Sequence, residues 1–312
     1  MKRVFLCFSI ALLTILVGCS DGDILPNTGG GKKIYYTTID GKKVQFGPFS
    51  GSFDAVLVSN TYDKDQGCLT FDEKVTEIGD CAFLLCENLA SITIPESIVS
   101  IGEDVFDGCD NLSEFRGKYA SKDNRCLIID GCIVYSAAAG LKSYNIPDGI
   151  TSIGDSAFWG CTSLTSITIP DSVTSIGEFT FCDCSSLTSI TIPDSVTSIG
   201  EFTFCDCSSL TSVTIPDSVT SIGDSAFSHC TSLTSVTIGN SVSSIGDYAF
   251  SFCESLTSVY CKATTPPTGG DDMFFNNASG RKIYVPTESV DAYKDADAWW
   301  WYADDIIAYD FE

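Results

Sequence analysis

Basic residues are scarce in this chain: 17 Lys and Arg stand against 41 Asp and Glu, for a formal net charge of −24. So little positive charge excludes nucleic acid and anionic lipid headgroups as partners of the folded part. Beyond residue 17 no stretch is long and apolar enough to cross a bilayer. Histidine occurs once, at His229, in a position that other repeats fill with Gly160, Asp183, Asp206 and Phe252. That variability marks an exposed turn and not a catalytic group. No nucleophile-elbow, phosphate-loop, zincin or calcium-loop pattern is present. Asp63-x-Asp65 fails the last of these, because Gly67 and Lys74 stand where ligands belong. Carboxylates are abundant, but they repeat, whereas an active site needs one distinctive constellation. The expectation is therefore a protein that is not an enzyme and needs no cofactor and no metal.

What is present begins with an export signal. Lys2 and Arg3 precede an apolar stretch from Val4 to Val17, broken only by Ser9 and Thr14. Fourteen residues suit a signal-peptide core better than a membrane span. Leu16-Val17-Gly18-Cys19 resembles a lipobox, which makes residues 1–18 a lipoprotein signal peptide and Cys19 the lipidated N-terminus. An ordinary signal peptide with a chance cysteine is the alternative. Ser20, in place of Asp, after the cysteine resembles lipoproteins sent to the outer membrane. Ser20-Asp21-Gly22-Asp23 loosely resembles a surface-export signal of Gram-negative lipoproteins. Residues 19–33, with Gly and Asn, read as a flexible tether. Removing Lys2 and Arg3 leaves 15 basic residues against 41 acidic ones, a charge of −26.

The body is a repeat. Residues 164–186 read LTSITIPDSVTSIGEFTFCDCSS, and residues 187–209 repeat that string unchanged. The leading Leu recurs at Leu89, Leu112, Leu141, Leu164, Leu187, Leu210, Leu233 and Leu256, every step being 23 except the 29 between Leu112 and Leu141. Columns of Phe (Phe83, Phe106, Phe158 and onward to Phe250) and Gly (Gly79, Gly102, Gly154 and onward to Gly246) keep the same step. Leu69 to Phe83 continues the frame upstream as a degenerate first rung. In L-x-x-I-x-I, Leu164, Ile167 and Ile169 point to one side of a strand while Ser166 and Thr168 point to the other. Pro170 ends that strand, because it has no N–H to give a ladder. Val173 and Ile176 return to the core, and Gly177 makes a bend that a side chain would obstruct. Asp155-Ser156-Ala157-Phe158 reads as a short helical turn with an acid at its positive end. A lone rung cannot bury its own apolar face, so only stacking gives a stable body. The fold class is a leucine-rich-repeat solenoid, α/β but β-rich. A parallel β-sheet, its strands about 4.8 Å apart, forms one face, and turns form the other.

The pattern LTSITIPDSVTSIGDSAFSHCTS resembles the BspA-like leucine-rich repeat family, specifically at its Leu, Ile, Pro, Ile-Gly, Phe and Cys positions, over about residues 69–262. The resemblance implies a right-handed solenoid in a bacterial surface protein or lipoprotein, with roles in adhesion or ligand capture. It does not supply a ligand. The domain reading is a solenoid over 67–262 between an N-terminal β cap at 34–66 and a C-terminal strand-helix cap at 263–312. Ile34 to Phe46 reads as a hairpin about Asp40-Gly41, and residues 116–137 as a hairpin insert about Asp130-Gly131. Past Pro266-Pro267 we expect a strand from Lys282 to Val285 and a helix from about Glu288. Caps would cover strand edges and core that open solenoid ends expose.

Sixteen cysteines are the other abundant feature. Cys86, Cys109, Cys161, Cys184, Cys207, Cys230 and Cys253 each stand three residues before a repeat Leu, as a column of small buried hydrophobes does. Cys182 and Cys205 form a second, short column, so Cys-Asp-Cys occurs twice. A disulfide between those two remains open. Metal binding by the four thiols is disfavoured, because Cys184 and Cys207 belong to the core. Cys126 and Cys132 should not pair across a two-residue turn.

Surface columns are the functional candidates. Ser166, Thr168, Ser189, Thr191, Ser212, Thr214, Ser235 and Thr237 make a hydroxyl lattice that suits a repeating ligand such as a glycan, or that simply solvates a sheet. Acidic columns (Asp148, Asp171, Asp194, Asp217; Asp155, Glu178, Glu201, Asp224, Asp247) read either as weak calcium capture or as turn and helix-end residues. Ser156, Ser172, Ser195, Ser218 and Ser225 resemble O-glycosylation acceptors of some Gram-negative phyla. Trp299, Trp300, Trp301 and Tyr302 cannot all face one core from a helix, so at least one ring should be exposed, as a sugar platform, a protein hot spot or a stray ring. Together these describe a lipid-anchored, surface-exposed outer-membrane protein, a monomer that binds a protein or glycan for adhesion. The alternative is a passive display scaffold without a specific ligand.

Overall fold

The computed structural model describes residues 30–47 and 51–311. The expected signal peptide, the expected lipidation site Cys19 and nearly all of the stretch read as a tether lie outside the described residues. The chain divides into two compact units, one holding residues up to 128 with 136–139, the other holding 129–135 and 140 onward.

In the first unit, Lys33–Thr38 lies between two strands and runs antiparallel to both. Ile34 faces Leu69 on the Gln66–Phe71 side, and Tyr36 faces Ile92 on the Leu89–Ile94 side. Leu57–Asp63 adds a further antiparallel strand outside Gln66–Phe71. Beyond Leu89–Ile94 the sheet becomes parallel, with Ile92 beside Phe115 of Glu114–Gly117. The expected hairpin about Asp40-Gly41 does not form. Asp40 Oδ1 instead accepts the Lys42 N–H at 3.2 Å and Thr38 Oγ1 donates to Lys42 O at 2.6 Å, which curls the chain after one strand. Both edges of Lys33–Thr38 are then taken by distant segments. Gly67 is required here, because the Tyr36 ring fills the space a Cβ would occupy. Leu69 thus belongs to the repeat frame, yet Lys33–Thr38 separates its strand from the next.

The insert is held by Arg125, whose guanidinium donates to the carbonyls of Ser113 (2.8 Å), Ala137 (2.6 Å) and Ala139 (2.9 Å). Asp130 and Gly131 adopt φ of 50° and 80°, the two left-handed residues that a tight two-residue turn needs.

The second unit is a parallel solenoid with two ladders. The first contains Ser143–Asn145, Ser166–Thr168, Ser212–Ile215, Ser235–Ile238, Ser258–Cys261, Lys282–Pro286 and Ile306–Tyr309. Its register keeps like over like: Ser212, Val213, Thr214 and Ile215 stand beside Ser235, Val236, Thr237 and Ile238. Between Ser166 and Ser212 the ladder passes through a single bridge at Ser189 and through longer backbone bonds of 3.3 Å at Thr188 and Thr211. The second ladder, made of two-residue strands such as Ser152–Ile153, Ser175–Ile176 and Ser221–Ile222, was not anticipated. Cys132–Ser136, the second arm of the insert, is its first strand, with Ile133 beside Ile153.

The expected helical turn after each Gly is a correction. Ser156, Phe179, Phe202, Ser225 and Tyr248 all have φ between 53° and 56°, which no α-helix contains. Bonds between rungs impose this: Ser156 N–H donates to Glu178 O at 2.9 Å and Phe158 N–H to Thr180 O at 2.9 Å. Inside, Phe158, Phe181, Phe204, Phe227 and Phe250 are fully buried, and successive rings stack at 5.0–5.4 Å. After Lys282–Pro286, a six-residue helix spans Val290–Asp295, and Ile306–Tyr309 returns to the first ladder as an unanticipated last strand. Among the described residues, no helix is long and apolar enough to cross a membrane.

Candidate ligand-binding face

The alternation of the first ladder decides what faces outward. Ile167, Ile190, Val213 and Val236 are buried, while Ser166, Thr168, Ser189, Thr191, Ser212 and Thr214 are exposed, and Ser235 and Thr237 are half-buried. Not every hydroxyl near this face is available. The neighbouring column Thr165, Thr188, Thr211, Thr234 and Thr257 donates across each rung to the carbonyl 23 residues earlier, at 2.8–3.3 Å. Those hydroxyls stitch rungs together. The eight predicted hydroxyls form no such bonds and remain free for an external partner.

The face is not uniform. Thr237 stands beside Tyr260, Tyr260 beside Tyr284, and Tyr284 beside Ile307. The hydroxyl column therefore becomes aromatic and apolar toward the C-terminal strands. The Tyr260 and Tyr284 rings stack at 4.6 Å. Tyr309, 42% exposed, meets both edge-on at 5.4 and 5.6 Å, and Phe311 lies 4.8 Å from Tyr309. Sequence reasoning missed this cluster, although Tyr260 lies four periods of 23 after Thr168 and so stands in the same column.

Of the Trp-rich segment, Trp299 is fully buried: its Nε1 donates to Pro267 O at 2.7 Å and its ring meets Tyr293 edge-on at 4.8 Å. Tyr302 is held beneath the Arg281 guanidinium, 4.9 Å above its ring, and its hydroxyl accepts the Phe274 N–H at 3.2 Å. Burial raises the Tyr302 pKa. Arg281 is itself pinned by Asp305 at 2.7 Å. Trp300 and Trp301 are 50% and 71% exposed and stack on each other at 3.9 Å. Two rings, not four, thus remain available.

The acidic column beside each Gly has a structural use. Asp155 Oδ1 accepts the Glu178 N–H at 2.8 Å, Asp224 Oδ1 that of Asp247 at 2.8 Å, and Asp247 Oδ1 that of Asp271 at 2.7 Å. Asp217 does the same for Asn240 at 2.9 Å. These four acids cap the next rung's backbone, the turn role open to the columns. Of the proposed glycan acceptors, Ser172 is exposed. Ser156 and Ser225 are half-buried in left-handed turns. Ser195 and Ser218 donate to Val173 O (2.5 Å) and Val196 O (2.8 Å). His229 is exposed, its ring stacked on Phe252 at 4.6 Å.

Stacked 23-residue rungs with two parallel ladders, an aromatic spine and an outward hydroxyl face define a leucine-rich-repeat protein. The BspA-type leucine-rich repeat model matches six copies, over residues 62–123, 131–257 and 174–296, and the chain belongs to that family. A leucine-rich cell surface protein from Faecalibacterium prausnitzii is 32% identical over 60% of this chain, with a TM-score of 0.55. The pneumococcal vaccine antigen PcpA shares the fold at 22% identity over 77% of the chain, with a TM-score of 0.58. The chain spans 51% of the first of these structures and 60% of the second. Comparison with curated proteins gave no match.

Proposed function

We propose that this is a lipid-anchored protein of the outer-membrane surface, a monomer that captures a protein or glycan ligand on the outward face of its first ladder. The observation that carries this reading is the change along one column, from the free hydroxyls of Thr168, Thr191 and Thr214 to the rings of Tyr260 and Tyr284. A sheet that needed only solvation would stay polar to its end. Hydroxyls at strand spacing offer repeated donors and acceptors, while the Tyr260, Tyr284 and Tyr309 cluster offers a rigid amphipathic anchor of the kind that dominates binding energy. Trp300 and Trp301 supply a second exposed pair. The anchor rests on the Leu16-Val17-Gly18-Cys19 motif.

A display scaffold is the second reading, favoured by the identity of rungs 164–186 and 187–209, which multiplies length without adding surface detail. One experiment separates them. Cells carrying the full chain, the Cys19→Ala chain or a Tyr260→Ala/Tyr284→Ala chain are tested for capture of host matrix proteins and of glycan arrays. We expect the Cys19 variant to leave the cell. The tyrosine variant should stay on the cell but lose about tenfold or more in capture, as loss of a central aromatic anchor does. Undiminished capture by the tyrosine variant would refute this face, and no capture by any form supports the scaffold.

A further inference from the structure

The two identical rungs bring together a pair of thiols that neither the core column nor the outward face uses. The Sγ atoms of Cys182 and Cys205 and a carboxylate oxygen of Asp206 all lie within 4.8 Å of one another. Cys205 Sγ donates to Asp206 Oδ2 at 3.4 Å. The cysteines are 9% and 8% exposed whereas Asp206 is open to solvent, so the carboxylate stands at the surface with the sulfurs just beneath it. The flanking rungs place Trp159 before and Ser228 after in this position. Ser228 pairs with Ser251 through their hydroxyls at 3.1 Å, so the thiol ladder is two rungs long.

These thiols differ from their core neighbours. Cys184 and Cys207 donate to Phe158 O and Phe181 O at 3.2 Å each, and burial raises both well above an ordinary thiol. Cys182 and Cys205 instead face each other and Asp206, whose carboxylate accepts from Cys205. The twice-repeated Cys-Asp-Cys suggests a set of four thiols. The structure selects a different set, two thiols and the acid between the repeats' outer and inner columns.

We propose that Cys182, Cys205 and Asp206 form a binding site for a thiophilic divalent cation of the zinc class. Two thiolates and one carboxylate are three of the four ligands a tetrahedral zinc site needs, and solvent beside Asp206 supplies water for the fourth. Zinc–sulfur bonds of about 2.3 Å place tetrahedral ligand atoms roughly 3.3–3.8 Å apart. The present set therefore closes with side-chain shifts of about 1 Å at most. Binding releases two protons, one from each thiol, so affinity rises with pH. The excess of acid over base concentrates cations near the surface. Because the ligands come from consecutive rungs, the cation clips one rung to the next.

The test adds cobalt(II) to the full chain purified under reductant, cobalt serving as a spectroscopic stand-in for zinc. We expect one equivalent to give sulfur-to-cobalt charge-transfer absorption that zinc abolishes. Cys182→Ser and Cys205→Ser should each remove that absorption, and Asp206→Asn should weaken binding by roughly tenfold or more. Deleting residues 187–209 removes Cys205 and Asp206 while leaving every core column in step, so it must also remove the absorption. The proposal fails if equimolar cobalt gives no absorption. It fails equally if absorption survives in the Cys182→Ser/Cys205→Ser double variant, which would point to core thiols. A Cys182–Cys205 disulfide in the chain purified without reductant, with no cobalt uptake after reduction, would make the pair a redox staple and overturn the site.

Discussion

At the scale of single residues, the core cysteines show why a thiol recurs where alanine or valine would also fit. In the second unit Cys184, Cys207, Cys230 and Cys253 each donate to the carbonyl of the Phe 26 residues earlier, at 3.1–3.2 Å. In the first unit Cys109 does the same with Phe83 at 3.1 Å. The side chain is small and apolar enough for the core and still contributes a weak donor. Burial is the largest cause raising the pKa of Cys184, Cys207 and Cys230, and it pushes Cys86 up to about 12. Folded thiols therefore keep their protons where unfolded thiols, near the ordinary 9.0, release them. The stabilisation is fully present below the unfolded pKa and is lost as pH rises beyond it. Each such thiol costs about 1.4 kcal/mol per pH unit above that point, so the three in the second unit together cost about 4 kcal/mol by about pH 10. Urea denaturation at about pH 8 and about pH 10 measures this. A midpoint that does not fall would show that these thiols ionise in the folded chain. Replacing Cys207 with Ala should lower stability near neutrality and make the alkaline loss shallower.

At the scale of the rung, glycine and acid act as a pair. Asp155, Asp224 and Asp247 cap the backbone N–H that follows the next rung's glycine, and the glycine leaves room for the acid; a Cβ on Gly177 would collide with Asp155 Oδ1. The column is not equally tight throughout. A Cβ on Gly223 would lie 2.6 Å from Glu201 N and 2.7 Å from Gly200 C, whereas one on Gly200 meets nothing nearer than 3.3 Å. Gly223→Ala should thus destabilise by about 2 kcal/mol through backbone overlap. Gly200→Ala should change stability by less than about 1 kcal/mol, because the lost freedom of the unfolded chain offsets its milder crowding. Urea midpoints of the two variants decide, and equal losses would show that the glycine column serves backbone conformation and not inter-rung space. This contrast also marks how far the sequence could be read. The 23-residue columns of Leu, Ile, Phe and Cys were legible because burial acts on each residue by itself and repeats with the rung. The left-handed turns at Ser156 and Phe179 were not, since neither residue favours positive φ and bonds from the adjacent rung impose it. Nor was the position of Lys33–Thr38, which depends on two edges offered by distant strands. Tyr260 was readable from its column, since it stands one rung beyond Thr237. Among Trp299 to Tyr302, composition required an exposed ring, but only packing against Pro267, Tyr293 and Arg281 singles out Trp300 and Trp301.

At the scale of the whole molecule, the identity of residues 164–186 and 187–209 permits a deletion that creates no new interface. Remove 187–209, and rung 164–186 meets residues 210–232 with the same side chains that 187–209 presented. Phe181 then stacks on Phe227 as Phe204 does now, at 5.0 Å. Thr188 leaves, and Thr211 donates to Thr165 O in its place. A linear array loses one rung and one stacking interface, so the shortened chain should fold with the same circular dichroism per rung and melt a few degrees lower. A chain that fails to fold after this excision would show that stability is not carried by nearest neighbours, and the solenoid account would fall with it. The same variant separates two modes of binding. If a polymeric ligand is held by the hydroxyl columns, loss of Ser189 and Thr191 removes one of several equivalent contacts, and affinity should fall by no more than a few fold. If the Tyr260, Tyr284 and Tyr309 cluster supplies the anchor, the deletion should leave affinity unchanged while Tyr260→Ala lowers it about tenfold or more. A large loss on rung deletion with none on Tyr260→Ala would place the ligand across the repeated rungs and show the aromatic end to be packing alone.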